Sequence, residues 1–108
     1  MVSYKELTSK ERAYLRSLAN KIEPIFQYGK GQITENYIKQ IDEALEAREL
    51  IKISLLEAAD ITAKELAEKL CESASCQSVQ IIGRKVVLYR QAKDADRRKI
   101  TLPRSSSF

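Results

Sequence analysis

Pro24-Ile25-Phe26-Gln27-Tyr28-Gly29-Lys30-Gly31-Gln32-Ile33-Thr34-Glu35-Asn36 is the stretch on which the fold of this 108-residue chain turns. It predicts a short strand, a glycine-rich turn and the capped start of a helix. Two of the chain's three glycines flank Lys30 here. Glycine lacks a Cβ, so it supplies positive φ and lets backbone N–H groups approach another molecule. A helix N-terminus adds free N–H donors and partial positive charge, so the loop is chemically fit to hold an anion such as phosphate. Thr34 is a good N-cap, and Ile33 before it can pack on Ile38 inside the helix. Structurally, the same residues are a tight β-to-α connection, and the motif alone does not choose between the two. It is neither a P-loop nor a dinucleotide G-x-G-x-x-G, since Thr34 stands where the last glycine would be.

Downstream, the helix is expected from about Glu35 to about Glu49. Ile38, Ile41, Ala44, Leu45 and Ala47 form its inner stripe, while Lys39, Asp42, Glu43 and Glu46 face water. Leu50 to Leu56 is rich in β-branched and aliphatic residues and reads as a strand. Strand, helix and strand of this length make a parallel, right-handed βαβ unit. Thr62 and Glu65 form a capping box, Ile61 staples to Leu66, and Leu66, Leu70 and Ala74 continue the apolar line. Ser78–Ile82 and Lys85–Arg90 are two strands joined through Gly83-Arg84, which fits a two-residue type II′ hairpin.

Upstream, Thr8 and Glu11 form another capping box, followed by a buried stripe of Leu15, Leu18, Ala19 and Ile22 that runs up to Pro24. The order is therefore α-β-α-β-α-β-β. That is a small α/β domain of the α+β kind, a four-stranded mixed sheet with packed helices. Residues 1–103 form one domain, because the length allows a single core. From Gln91 the chain turns polar and basic, with an apolar island at Ile100–Pro103, and residues 104–108 are expected to be a disordered tail.

The hydrophobic share of 44% suits a folded chain. No apolar run approaches the ~20 residues that span a bilayer, and no signal-peptide core is visible. A soluble, cytoplasmic protein without a membrane partner is expected. Histidine is absent, and the two cysteines, Cys71 and Cys76, lie five apart. That pattern makes no typical zinc site and points to two reduced, half-buried thiols, with a disulfide as the lesser alternative. No metal and no cofactor are expected. The missing histidine also removes the commonest general base. Glu43, Glu46 and Glu49 fall at helical spacing that exposes them to solvent. No catalytic residue is assigned, and the chain reads as a non-enzyme.

Charge is unevenly placed. Residues 1–30 carry six Lys/Arg against three Asp/Glu, residues 31–76 five against ten, and residues 77–108 eight against two. Basic ends around an acidic middle suit a polyanion-binding face backed by an ordinary solvated one. Arg12 and Arg16 lie four apart off the first buried stripe, with Lys10 nearby, and can extend the positive surface of the loop. Arg84 or Lys85 at the hairpin can add to it. Tyr14, Tyr28 and Tyr37 are able to stack on bases, but each is read first as a core or semi-buried aromatic.

Several separated motifs, in order, resemble a known family. They are Leu7–Arg16, Pro24–Gly31, Ile38–Lys52 with Glu43-Ala44-Leu45-Glu46-Ala47-Arg48-Glu49-Leu50-Ile51-Lys52, Gln80–Gly83 and Val87–Arg90. Over about residues 7–103 the chain resembles the bacterial YhbY-type proteins, which are stand-alone CRM domains (chloroplast RNA splicing and ribosome maturation). The resemblance implies a fold similar to the C-terminal domain of translation initiation factor three. It also implies RNA binding through a KH-like G-x-x-G loop, and association with ribosomal RNA in precursors of the large ribosomal subunit. The family loop is usually Gly-Lys-x-Gly. Gly29 and Lys30 match its first two positions, and Gln32 stands at the fourth, where its amide can hydrogen-bond to phosphate or ribose. The expected RNA-binding set is Gly29, Lys30, Gly31, Gln32, Lys10, Arg12, Arg16, Arg84 and Lys85, on a protein expected to be a monomer. From a different class, an adapter whose basic ends grip an acidic protein remains the alternative.

Overall fold

Three threonines set the starts of three helices. In the computed structural model, which describes residues 7–31 and 33–102, Thr8, Thr34 and Thr62 each accept a hydrogen bond from the backbone three residues on. Thr8 with Glu11 and Thr62 with Glu65 close full capping boxes, each satisfying two helix-end donors. The helices are α1 (Ser9–Ala19), α2 (Glu35–Arg48) and α3 (Ala63–Ala74), and the strands are β1 (Phe26–Tyr28), β2 (Leu50–Leu55), β3 (Gln77–Ile82) and β4 (Lys85–Tyr89). The expectation of a disordered segment at residues 104–108 falls outside the described residues.

The strands form one sheet in the order β1-β2-β4-β3. β1 runs parallel to β2, as the βαβ unit requires, and the other two pairings are antiparallel. Alternation along the strands sorts the core into two layers. Ile51, Ile53, Leu55, Val86 and Leu88 point to the side covered by α2 and α3, where Ile41, Leu45, Leu66 and Leu70 meet them. Leu50, Val87, Tyr89 and Val79 point to the opposite side and pack on Leu15 and Ala19 of α1. The sheet is thus sandwiched, with two helices in front and one behind. Gly83 takes φ +55° at the β3–β4 turn while Arg84 does not go positive, which matches the hairpin expected from sequence.

α1 stops earlier than the sequence suggests. It ends at Ala19, and Lys21 and Ile22 donate back to Leu18 and Ala19 at 3.0 and 3.2 Å, so a tighter turn, not Pro24, closes it. Ile22 still reaches the rear core. The cysteines are free, Cys71 half-buried and Cys76 buried.

At the end of α2, Glu46 and Glu49 do not face water as expected but are structural, whereas Glu43 is exposed as expected. Glu49 is fully buried. It occupies φ +67°, a conformation an L side chain rarely adopts. Its N–H donates to Leu45 and its carbonyl accepts from Arg90 at 2.9 Å. Its carboxylate accepts from the backbone of Ala92 (2.7 Å), Lys99 (2.6 Å) and Ile100 (2.8 Å). Glu46 accepts from Lys93 and Asp94, both at 2.9 Å. Arg90, buried, pairs with Asp42 and with Glu46 (3.3 Å) and donates to the Ala74 carbonyl at the end of α3. Helical periodicity could not show this, because the partners lie some fifty residues downstream and are mostly backbone. The polar stretch after β4 is therefore strapped across the end of α2. It carries a short 3₁₀ turn at Ala95–Arg97, and its Ile100 and Leu102 pack on the rear core.

Two predictions follow from this strap. Glu49→Ala should cost about 3 kcal/mol or more in denaturant melts, since three donors each lose an acceptor worth about 1 kcal/mol or more. Glu49→Gly should cost about 1 kcal/mol less than Glu49→Ala, because it also relieves the positive φ. That reverses the usual order of the two residues, and the usual order would contradict this account. The N–H donors of Lys93 and Asp94, with the Arg90 charge, hold the Glu46 carboxyl below its ordinary value of 4.5. A depressed carboxylate stabilises fully above the ordinary value and loses that contribution as pH falls through the folded value. The amide proton shifts of Lys93 and Asp94 should therefore titrate together in NMR spectra, with a midpoint below 4.5.

Candidate nucleic-acid interface

The glycine turn sits at the end of β1, fixed on both sides. The Leu56 N–H donates to the Tyr28 carbonyl at 2.9 Å, which locks the strand end to β2. The Tyr28 hydroxyl donates to the Gly31 carbonyl, tying the turn to the core. Tyr28 is buried, and its ring meets Tyr37 edge-on at 5.8 Å; Tyr37 in turn meets Phe26 at 6.3 Å. Burial, with Asp60 nearby, raises the Tyr28 phenol above its ordinary pKa. Burial, with Tyr28 beside it, pushes Tyr37 up to about 12. Both tyrosines therefore support the loop from beneath, as their core reading holds. Tyr14, 38% exposed, is the one of the three that reaches the surface. The hydroxyl clamp on Gly31 escaped the sequence reading. Its only signal was a tyrosine directly before Gly29.

The glycines differ. Gly31 sits at φ +128° with open space where a Cβ would be, so backbone conformation alone demands glycine there. Gly29 has no such demand, and a Cβ on it would make an ordinary 3.5 Å contact with Leu56. Lys30 between them is exposed. Three residues beyond Gly31, Thr34 opens α2. Gln32 lies outside the described residues.

Arg84 and Lys85 reach the same end of the sheet. The Arg84 carbonyl accepts from the Leu55 N–H at 2.7 Å, one residue before the Leu56 that holds the glycine turn. Both side chains are exposed. Gly29, Lys30, Gly31, Arg84 and Lys85 thus gather at one edge of the molecule.

The α1 residues lie behind the sheet and do not act as one group. Lys10 is exposed, but two residues before Arg12 it projects from the opposite flank. Arg12 is half-buried and donates to the carbonyls of Ser78 and Val79 (3.3 Å to the latter), at the bulge where β3 slips against β4. It joins α1 to the sheet. Arg16, one turn on along the Arg12 flank, is exposed.

Charge follows the layers. In front, α2 carries two Lys/Arg against four Asp/Glu and α3 two against three, a net −3. Behind, α1 carries three against one, and the four strands add Lys52 and Lys85 with no acid, a net +4. The molecule is 23 Å across its thinnest axis, well beyond the screening length of about 8 Å at physiological salt, so the acidic front leaves the basic side uncancelled.

The CRS1/YhbY (CRM) domain model matches residues 7–90. The chain belongs to that family. It is 47% identical over 97 residues to "Probable RNA-binding protein YqeI" of Bacillus subtilis, covering 90% of this chain and 99% of that one. It is 33% identical over 98 residues to a Haemophilus influenzae protein named "RNA-binding protein", covering 91% and 96%. The solution structure of the hypothetical protein SAV1595 from Staphylococcus aureus superimposes with a TM-score of 0.72 at 51% identity, covering 91% of this chain and all of that one. That superposition supports the fold found here, three helices on a four-stranded mixed sheet.

The two glycines give a paired prediction. Gly31→Ala should lower stability by about 1–3 kcal/mol through its backbone strain, whereas Gly29→Ala should shift it by no more than about 0.5 kcal/mol. Equal melting curves for the two variants would show that the turn does not require the Gly31 conformation.

Proposed function

We propose that this CRM domain binds structured RNA without catalysing a reaction, and that it assists assembly of the large ribosomal subunit on ribosomal RNA. The observation that carries this is the convergence of a positive-φ glycine turn, an exposed Lys30 and the Arg84-Lys85 hairpin at one end of the sheet. Backbone donors of the turn and the Lys30 ammonium hold the sugar–phosphate backbone, as KH loops do. Gln32 contributes its amide. Arg16 and Lys10 add diffuse attraction, and Arg12 acts chiefly by joining α1 to the sheet. The names of the relatives support the RNA partner; the ribosomal assignment rests on the family resemblance. Among the described residues no group of three or more His, Cys, Asp or Glu could hold a metal, and no helix is long and apolar enough to cross a membrane. The protein acts as a monomer in the cytoplasm in this reading.

The test is a charge reversal in the loop against one on the front. Lys30→Glu should weaken binding of a structured RNA by roughly 1.5–3 kcal/mol, the worth of a charged hydrogen bond, with a melting curve like wild type. Lys39→Glu, exposed on α2, should bind nearly normally. Wild-type affinity should fall steeply with salt, because phosphate contacts release counterions. Equal losses in both variants would reduce the site to diffuse charge, and normal binding by Lys30→Glu would leave the loop as a turn only. On gradients run at low salt, the protein should travel with large-subunit precursors; a protein found only at the top would refute the ribosomal part.

A further inference from the structure

α1 covers only half of the rear of the sheet. Its contacts there are Leu50, Val79, Val87 and Tyr89, all toward the end where β2 begins and β4 finishes. Beyond them, register places Gln27, Ser54, Lys85 and Ile82 side by side across all four strands. Their neighbours Phe26, Ile53, Tyr28, Leu55 and Val86 point forward into the main core, so this row points backward. Gln27, Lys85 and Ile82 are exposed, Ile82 by 56%, and Ser54 is half-buried. One row nearer α1, Ile25 donates its N–H to the Lys52 carbonyl and is exposed, beside a half-buried Lys52.

We infer that this uncovered strip of sheet is a second part of the RNA site, across which an RNA strand runs from the glycine turn toward Ile82 at the hairpin. The occupant is set by charge. The strip carries Lys52 and Lys85, is bordered by Arg84 at the hairpin, and contains no acid among its strand residues. Gln27 and Ser54 offer neutral hydrogen-bonding groups between the cations, and Ile25 and Ile82 offer apolar surface for bases. Three inter-strand gaps of about 4.8 Å make a path of about 14 Å. Continuity supports the same conclusion, because the row ends at Gln27, two residues before Gly29. The inference rests on the RNA-binding reading and adds to it a path that the glycine turn alone does not define.

The test measures binding of an RNA hairpin with a single-stranded extension at fixed salt. Lys52→Glu should weaken it by about tenfold and flatten its salt dependence, the loss of a phosphate contact. Gln27→Glu, on an exposed edge position, should weaken it by about fivefold through repulsion alone. Lys69→Glu, exposed on the front helix α3, should stay within about twofold. If Lys52→Glu does not fold, Gln27→Glu decides. Normal binding by Gln27→Glu together with loss by Lys30→Glu would overturn the strip and leave the loop reading intact. Failure of the wild-type protein to bind RNA would overturn the loop reading itself, and nuclease-resistant retention of an acidic protein on the strip would assign it to another class of partner.

Discussion

Glu49 is a fully buried acid in a backbone conformation that its side chain disfavours, and the arrangement of this domain depends on it. Its main chain ends α2, starts β2 and receives the end of β4, while its carboxylate collects three N–H groups of the C-terminal strap. Burying a carboxylate is costly unless its acceptor sites are filled. Here backbone donors fill them. The buried Tyr89 phenol nearby is pushed up to about 12, by burial first and by the Glu49 and Glu11 charges next. Arg90 extends the same knot to α3 through the Ala74 carbonyl. Front helices, central strand and strap are thus joined at one end of the sheet.

That placement frees the opposite end. With the strap and the helix terminus gathered where β2 begins, the glycine turn, the Arg84 hairpin and the uncovered strip lie where β2 finishes. The structural carboxylates Asp42, Glu46 and Glu49 are spent on Arg90 and on backbone donors, away from the basic edge. Two exposed acids also stand at that end, Glu57 lining one cavity with Arg84 and Asp60 beside Tyr28, so the cations there are partly offset. In the proposed reading, stability and recognition occupy different ends of one small sheet, so replacing the exposed Lys30 is expected to alter binding with little effect on folding.

Much of this was legible in the sequence because the signals were local. Capping boxes at Thr8 and Thr62, the cap at Thr34, the parallel βαβ unit and the Gly83 hairpin depend on residues within a few positions of one another. Glu46 and Glu49 were misread because their partners are distant backbone groups, invisible to periodicity. The site residues divided in the same way. Gly31 and Lys30 could be placed in an exposed turn from their neighbours, whereas the split between Lys10 and Arg16, and the engagement of Arg12 with β3, depend on how α1 crosses the sheet. Lys52 was passed over although its alternation with Ile51 and Ile53 already placed it on the opposite face of β2. Only the pairing of that strand with β4 showed the face to be uncovered.

The central claim is that RNA is held on the basic edge and rear of the sheet while the front helices remain free. Mapping amide shift changes as a structured RNA is titrated into the ¹⁵N-labelled protein tests it most directly. The account predicts changes concentrated at Gly29–Gly31, Arg84–Lys85 and the Lys52–Ser54 stretch, with the outer faces of α2 and α3 unmoved. Changes centred on the exposed residues of α2 and α3, with the glycine turn silent, would contradict it.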